Sequence, residues 1–182
     1  MQLDKLPSGP QVPDVFYVVV EIPAYGPGIK FELEKNSGAL LVDRFLATPM
    51  HYPCNYGFIP HTLSLDGDPL DALVLTPVPL IPGIVIACRA VAVLDTEDDA
   101  GPDAKILSVP LSKVTPDYDH VREKDDLPGS MLRQIEHFFT HYKDLEPGRW
   151  MTLKGWRDAA AARREITESL QRYSENPAKP NF

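Results

Sequence analysis

The segment Leu65-Asp66-Gly67-Asp68-Pro69-Leu70-Asp71 places three carboxylates within six residues. Gly67 and Pro69 are turn formers, and an apolar run follows directly. Two carboxylates about 5 Å apart repel by roughly 3 kcal/mol at an effective dielectric near 20. A fold that gathers three of them beside a buried strand needs a cation or retained protons. Oxygen donors without His or Cys suit Mg²⁺, Mn²⁺ or Ca²⁺ rather than zinc. The same residues in a solvated turn would need neither, because Asp and Gly also favour turns through local hydrogen bonds. An EF-hand fits poorly. Counted from Asp66, the sixth position is Asp71 rather than Gly, and the twelfth is Pro77 rather than Glu.

A second acidic loop, Asp95-Thr96-Glu97-Asp98-Asp99-Ala100-Gly101-Pro102-Asp103, follows another apolar run and is itself followed by Lys105. Two such loops at the mouth of one barrel would share metal ions, which favours the metal reading over the plain turn. Phosphate chemistry at such a centre also needs groups that hold the anion. Lys30, Arg44, Lys105 and Lys143 are candidates, with the phenols Tyr52, Tyr56 and Tyr142. Arg grips phosphate through two parallel hydrogen bonds, Lys supplies a point charge, and Tyr a neutral donor. Taken singly, each has a plainer reading: a solvated strand face for Lys30, a helix C-terminus for Lys143, and a core rim for Tyr52 and Tyr56. His137 and His141 stand four apart on an expected helix, but the Glu of H-E-x-x-H is missing, which favours a structural or subunit-contact role over zinc. No Ser or Cys nucleophile motif and no P-loop is present.

The elements that must position these residues follow from the apolar pattern. Residues 15–22, 30–35, 39–46, 70–76 and 84–94 read as strands, with Asn36-Ser37-Gly38 turning a hairpin. Residues 130–143 and 158–173 read as amphipathic helices. One stripe carries Leu132, Ile135, Phe138 or Phe139, and Tyr142; the other carries Ala159, Ala162, Ile166, Leu170 and Tyr173. Strands first and helices later indicate a mostly β (α+β) protein, a small barrel with two C-terminal helices outside it, in one domain over residues 1–182. The net charge of −8 opposes nucleic-acid binding. Pro77, Pro79, Pro82 and Arg89 interrupt the longest apolar stretch, which excludes a membrane-spanning helix there. Residues 1–14 are polar and proline-rich, unlike a secretory signal, and the two cysteines, Cys54 and Cys88, read as buried reduced thiols. A cytoplasmic location is expected.

The residues also resemble those of the soluble inorganic pyrophosphatases of the single-domain bacterial type, family I. Asp66 to Asp71 fits that family's D-x-D-P-x-D signature. The flanking matches are Val20-Glu21-Ile22-Pro23, Ile29-Lys30-Phe31-Glu32, Val42-Asp43-Arg44-Phe45, Tyr52-Pro53-Cys54-Asn55-Tyr56-Gly57, Gly101-Pro102-Asp103-Ala104-Lys105 and residues 135–144. The resemblance implies Mg²⁺-dependent hydrolysis of pyrophosphate to two orthophosphates by direct attack of a metal-activated water. It implies several Mg²⁺ ions per site, with Mn²⁺ as a substitute. Asp66, Asp71, Asp98 and Asp103 would be ligands, helped by Glu32, and Asp68 would accept the proton. Lys30, Arg44, Tyr56, Lys105, Tyr142 and Lys143 would contact phosphate, with Glu21, Tyr52, Glu97 and Asp99 supporting. It also implies a closed five-stranded barrel of oligonucleotide-binding topology and a homohexamer with His137 and His141 near an interface. Phe31 stands where many members have Tyr, and Asp99 where many have Glu. Two other readings remain open on the residues alone: a non-catalytic divalent-cation-binding barrel, and a Mg²⁺-dependent phosphatase of another phosphate ester.

Overall fold

Residues 5–176, the part of the chain described by the computed structural model, form nine strands and two α-helices. Residues 1–4 and 177–182, and with them both ends of the expected 1–182 domain, lie outside the described residues. The strands are β1 (Phe16–Ile22), β2 (Ile29–Leu33), β3 (Leu40–Phe45), β4 (Asn55–Phe58), β5 (Asp71–Val74), β6 (Val85–Asp98), β7 (Gly101–Pro102), β8 (Lys105–Pro110) and β9 (Met151–Asp158). The helices are α1 (Gly129–His141) and α2 (Ala159–Glu175).

Five strands close on themselves. β1 pairs with β4, β4 with β5, β5 with β8, β8 with β6, and β6 returns to β1. Only β5 and β8 run parallel within the ring. In chain order the sequence round the ring is 1-2-3-5-4, the Greek-key barrel of the oligonucleotide-binding type, and closure leaves the ring without free edges. Closure is tight at Gly57, where an added Cβ would lie 1.9 Å from the Val19 carbonyl oxygen.

Residues of the ring strands feed two main cores, and Val19 and Phe58 join Leu33 of β2 in a third, smaller one. Phe16, Val18, Val20, Ala72, Val74, Val93 and Ile106 pack with Ala161, Ala162 and Ile166 of α2. Ile22, Leu73, Leu94, Leu107 and Val109 pack beneath Ile135, Phe138 and Phe139 of α1. Both phenylalanines are therefore buried, where the helical stripe required only one. Each apolar side chain buried in this way contributes roughly 1.5–3 kcal/mol. Asp158 caps α2, its carboxylate accepting the Ala161 N–H at 2.7 Å.

The structure departs from the sequence expectation in three places. β6 continues past Leu94 to Asp98, because Asp95–Asp98 find backbone partners in β9, from Gly155 to Met151. The second acidic segment is thus half strand and half hairpin, not a loop throughout. β4, β8 and β9 were not expected. β8 is buried at every position, so it carries no apolar–polar alternation to read. β2 and β3 pair only with each other and form a separate two-stranded sheet, and β3 is mostly exposed. Cys54 and Cys88 are buried and unpaired, and burial pushes both thiols up to about 12. Among the described residues no helix is long and apolar enough to cross a membrane.

Candidate active site

A cavity of about 230 Å³ opens between the ring, the β2–β3 hairpin and the C-terminal end of α1. Glu21, Lys30, Glu32, Arg44, Tyr52, Tyr56, Asp66, Asp68, Asp71, Asp98, Asp103, Lys105, Tyr142 and Lys143 all line it. Residues more than a hundred positions apart in the chain are therefore brought into one chamber.

The parallel pairing of β5 with β8 sets Asp71 directly beside Lys105. The Lys105 ammonium lies 2.6 Å from Asp71 Oδ2 and 2.8 Å from Asp103 Oδ2, and the Tyr56 hydroxyl donates to the same Asp71 oxygen. Lys105 is only 1% exposed. Burial works against its charge, but Asp103 and Asp71 outweigh burial and hold its pKa well above the ordinary value. Burial pushes the Asp103 carboxyl up to about 6, with Lys105 resisting and Asp71 adding. Two carboxylates sharing one ammonium leave surplus negative charge in a poorly solvated place.

The Asp66 turn leads into β5. Asp66 Oδ1 accepts the Asp68 N–H at 3.0 Å, and Gly67 supplies the left-handed conformation, φ +95°. Thr62 anchors the base of this loop, donating to the Ile59 carbonyl at 2.5 Å and accepting the Leu70 N–H at 2.9 Å. Burial raises the Asp66 carboxyl, which the Asp68 amide only partly offsets. On the β6–β7 hairpin, Lys143 at the end of α1 reaches Asp98 at 2.7 Å. Burial disfavours the Asp98 charge, yet the Lys143 ammonium and the Ala100 N–H hold its carboxyl below the usual range. Asp99 lies 3.5 Å from Lys143 and 3.7 Å from Arg149. Glu97 points elsewhere, pairing with Lys154 at 2.8 Å, and does not line the cavity.

Glu21 joins the ring to the hairpin, accepting the Leu33 N–H at 2.8 Å. Burial pushes its carboxyl up to about 7 against that hydrogen bond. On the hairpin, Lys30 sits 3.1 Å from Asp43, and Arg44 faces Glu146 at 3.6 Å. Tyr52, Tyr56 and Tyr142 are all raised, chiefly by burial, and so remain neutral donors.

Known proteins resemble this chain in sequence and in fold. The sequence profile of the family described as inorganic pyrophosphatase matches residues 18–174. The inorganic pyrophosphatase of Yersinia pestis is 56% identical over 172 residues, covering 94% of this chain and 98% of that protein. The chain belongs to the inorganic pyrophosphatase family. Among solved structures, the inorganic pyrophosphatase of Coxiella burnetii superposes with a TM-score of 0.88 at 48% identity, over 91% of this chain and 98% of that one. That of Thermus thermophilus gives 0.90 at 42%, over 96% and 99%.

Around this cavity, sequence reasoning missed Lys35, Asp43, Phe58, Ala100, Phe139 and Arg149 as lining residues, and Glu146 behind Arg44. Asp43 adjoins Arg44 within a matched motif and could have been found there. Glu146 and Arg149 lie in an irregular turn after α1, where no periodicity marks them. His137 and His141 lie apart from the cavity, their rings 4.6 Å between centroids, and His141 is 2.8 Å from Asp144.

The donor set fits hard divalent cations. Carboxylates around the cavity outnumber the cations Lys30, Lys35, Arg44, Lys105, Lys143 and Arg149, and all the acidic donors are oxygens. Among the described residues Asp66 and Asp68 make no ion pair. Among the described residues no three Asp, Glu, His or Cys side chains are gathered so as to hold a metal ion, and Lys105 stands between Asp71 and Asp103.

Proposed function

We propose that the chain hydrolyses inorganic pyrophosphate to two orthophosphates in this cavity, with Mg²⁺ as the cation and Mn²⁺ as a substitute. The observation that carries the reading is one chamber in which Asp66, Asp68, Asp71, Asp98 and Asp103 face Lys30, Arg44, Lys105 and Lys143. Asp66, Asp71, Asp98 and Asp103, with Glu32, would hold the divalent ions. Bound there, such ions supply Lewis acidity that lowers the pKa of water and offsets phosphate charge. Asp68 is exposed at the rim and takes the proton from the attacking water, passing it to solvent. Lys30, Arg44, Lys105 and Lys143 neutralise the phosphoryl oxygens, and Tyr56 and Tyr142 donate neutral hydrogen bonds to them. Glu21, Tyr52 and Asp99 hold these groups in place: Glu21 through the Leu33 amide, Asp99 through Lys143. Glu97, on the far side of β6, would act only through that strand.

Phosphate release from pyrophosphate, ATP and a phosphomonoester, each with Mg²⁺, Mn²⁺ or Ca²⁺, tests the reading. Release confined to pyrophosphate is expected; none from pyrophosphate with Mg²⁺ would sink it. Near-full turnover by Asp68→Asn with Mg²⁺ binding intact would remove the proton-acceptor role.

The working form we propose is a single-domain chain in a homohexamer. Tyr25, Met50, Pro53, Phe138 and His137 line a shallow groove beside α1, which supports a subunit contact near His137 and His141. Sizing the native protein tests this. A reducing compartment such as the cytoplasm suits two buried, unpaired thiols.

A further inference from the structure

Arg44 Nε and Glu146 Oε1 are both buried, face each other at 3.6 Å, and neither has a hydrogen-bond partner. A buried guanidinium N–H and a buried carboxylate oxygen are costly to leave unpaired, and native structures rarely do so without cause. The two arrive from separate supports. Arg44 lies on β3 opposite Lys30, in a hairpin that pairs with no other strand. Glu146 lies in the turn after α1, its N–H bonded to the Lys143 carbonyl at 2.8 Å and its carbonyl accepting the Arg149 N–H at 3.2 Å. Lys143 is itself held against Asp98.

We propose that Glu146 is a positioning residue for Arg44. A guanidinium can take an oxyanion side-on, through Nε and one Nη, or end-on, through both Nη atoms. With Glu146 against the Nε edge, side-on binding is blocked and the Nη pair is the edge offered to phosphate. Because Glu146 hangs from the backbone of Lys143, the turn also sets the distance between two cations that grip the same substrate. This role rests on the pyrophosphate reading of the cavity.

A double-mutant cycle tests it. KM and kcat for pyrophosphate, the affinity for methylenediphosphonate by calorimetry, and the melting temperature are measured for wild type, Glu146→Ala, Glu146→Gln, Arg44→Ala and the double variants. Glu146→Ala should raise KM and the analogue Kd about tenfold while kcat stays within about threefold. Glu146→Gln, which keeps an acceptor for Nε, should recover most of that, with a rise of about threefold. In the Arg44→Ala background neither change should weaken binding further, because the residue it acts through is gone. Additive losses would overturn the proposal, as would a lowered melting temperature with KM and Kd unchanged. If Glu146→Ala does not fold, the cycle with Glu146→Gln decides by the same additivity. A wild-type chain inactive on pyrophosphate would fail the functional reading, whereas the analogue affinities judge Glu146 separately.

Discussion

Lys105 and Lys30 face the same cavity from different supports. Lys105 begins a ring strand, is 1% exposed, and touches two carboxylates at 2.6 and 2.8 Å. Lys30 sits on a two-stranded ribbon, has one partner at 3.1 Å, and keeps 28% of its side chain in solvent. Isolated two-stranded ribbons are marginal in water, whereas the closed ring draws on two packed cores. In the proposed mechanism the ring supplies most of the cation-holding carboxylates, and the hairpin supplies anion-gripping charges. Stability and chemistry are therefore coupled on the ring and nearly separable on the hairpin.

The sharpest way to break that contrast is to compare Lys105→Met with Lys30→Met. Removing the buried ammonium leaves Asp71 and Asp103 uncompensated, so urea unfolding should show a loss of about 3–5 kcal/mol. Lys30→Met should cost less than about 1 kcal/mol while turnover on pyrophosphate falls steeply. Equal destabilisation of the two would refute the division. Gly57→Ala, which drives a Cβ into the Val19 carbonyl, should cost about 2–3 kcal/mol by the same measurement. A neutral outcome there would mean the ring tolerates widening.

Glu21 lies at the junction of ring and hairpin, and its pH dependence sharpens the comparison. Its carboxyl titrates near 7 in the fold against an ordinary 4.5, because burial disfavours the charge. The folded chain then holds its proton over the window in which the unfolded chain has lost it. Its relative stabilisation is full below pH 4.5 and disappears as pH rises to about 7. With chelator present, Glu21→Gln should flatten that decline and raise stability at pH 8 by about 2 kcal/mol. A parallel pH profile for wild type and variant would show that Glu21 is charged in the fold. The smallest effect belongs to Leu41→Thr on the exposed face of β3, within about 0.5 kcal/mol for the dilute chain by thermal melting.

Much of the site was legible in the chain because its chemistry is local. Asp66-Gly67-Asp68-Pro69-Leu70-Asp71 carries its own turn formers, and the hairpin carries Asn36-Ser37-Gly38, where Glu34 accepts the Asn36 and Ser37 amides at 3.1 and 2.8 Å. The helices showed themselves through apolar spacing, to within two residues at each end. β8 did not, since burial on both faces erases alternation, and the extension of β6 depended on partners in β9 more than fifty residues away. Glu146 had no local mark at all.

The sequence by itself determined which groups could do chemistry: oxygen donors clustered in acidic segments, cations and phenols spaced between them, and a mostly β frame with two helices. Only the tertiary structure decided which of them meet. Asp71 stands beside Lys105 because ring closure places β5 parallel to β8, Glu97 is turned away by strand alternation, and Arg44 meets Glu146 because the turn after α1 comes to rest against the hairpin. Residue types and turns are properties of neighbours in the chain. Register across a closed sheet is set by all its pairings at once, and no single segment contains it.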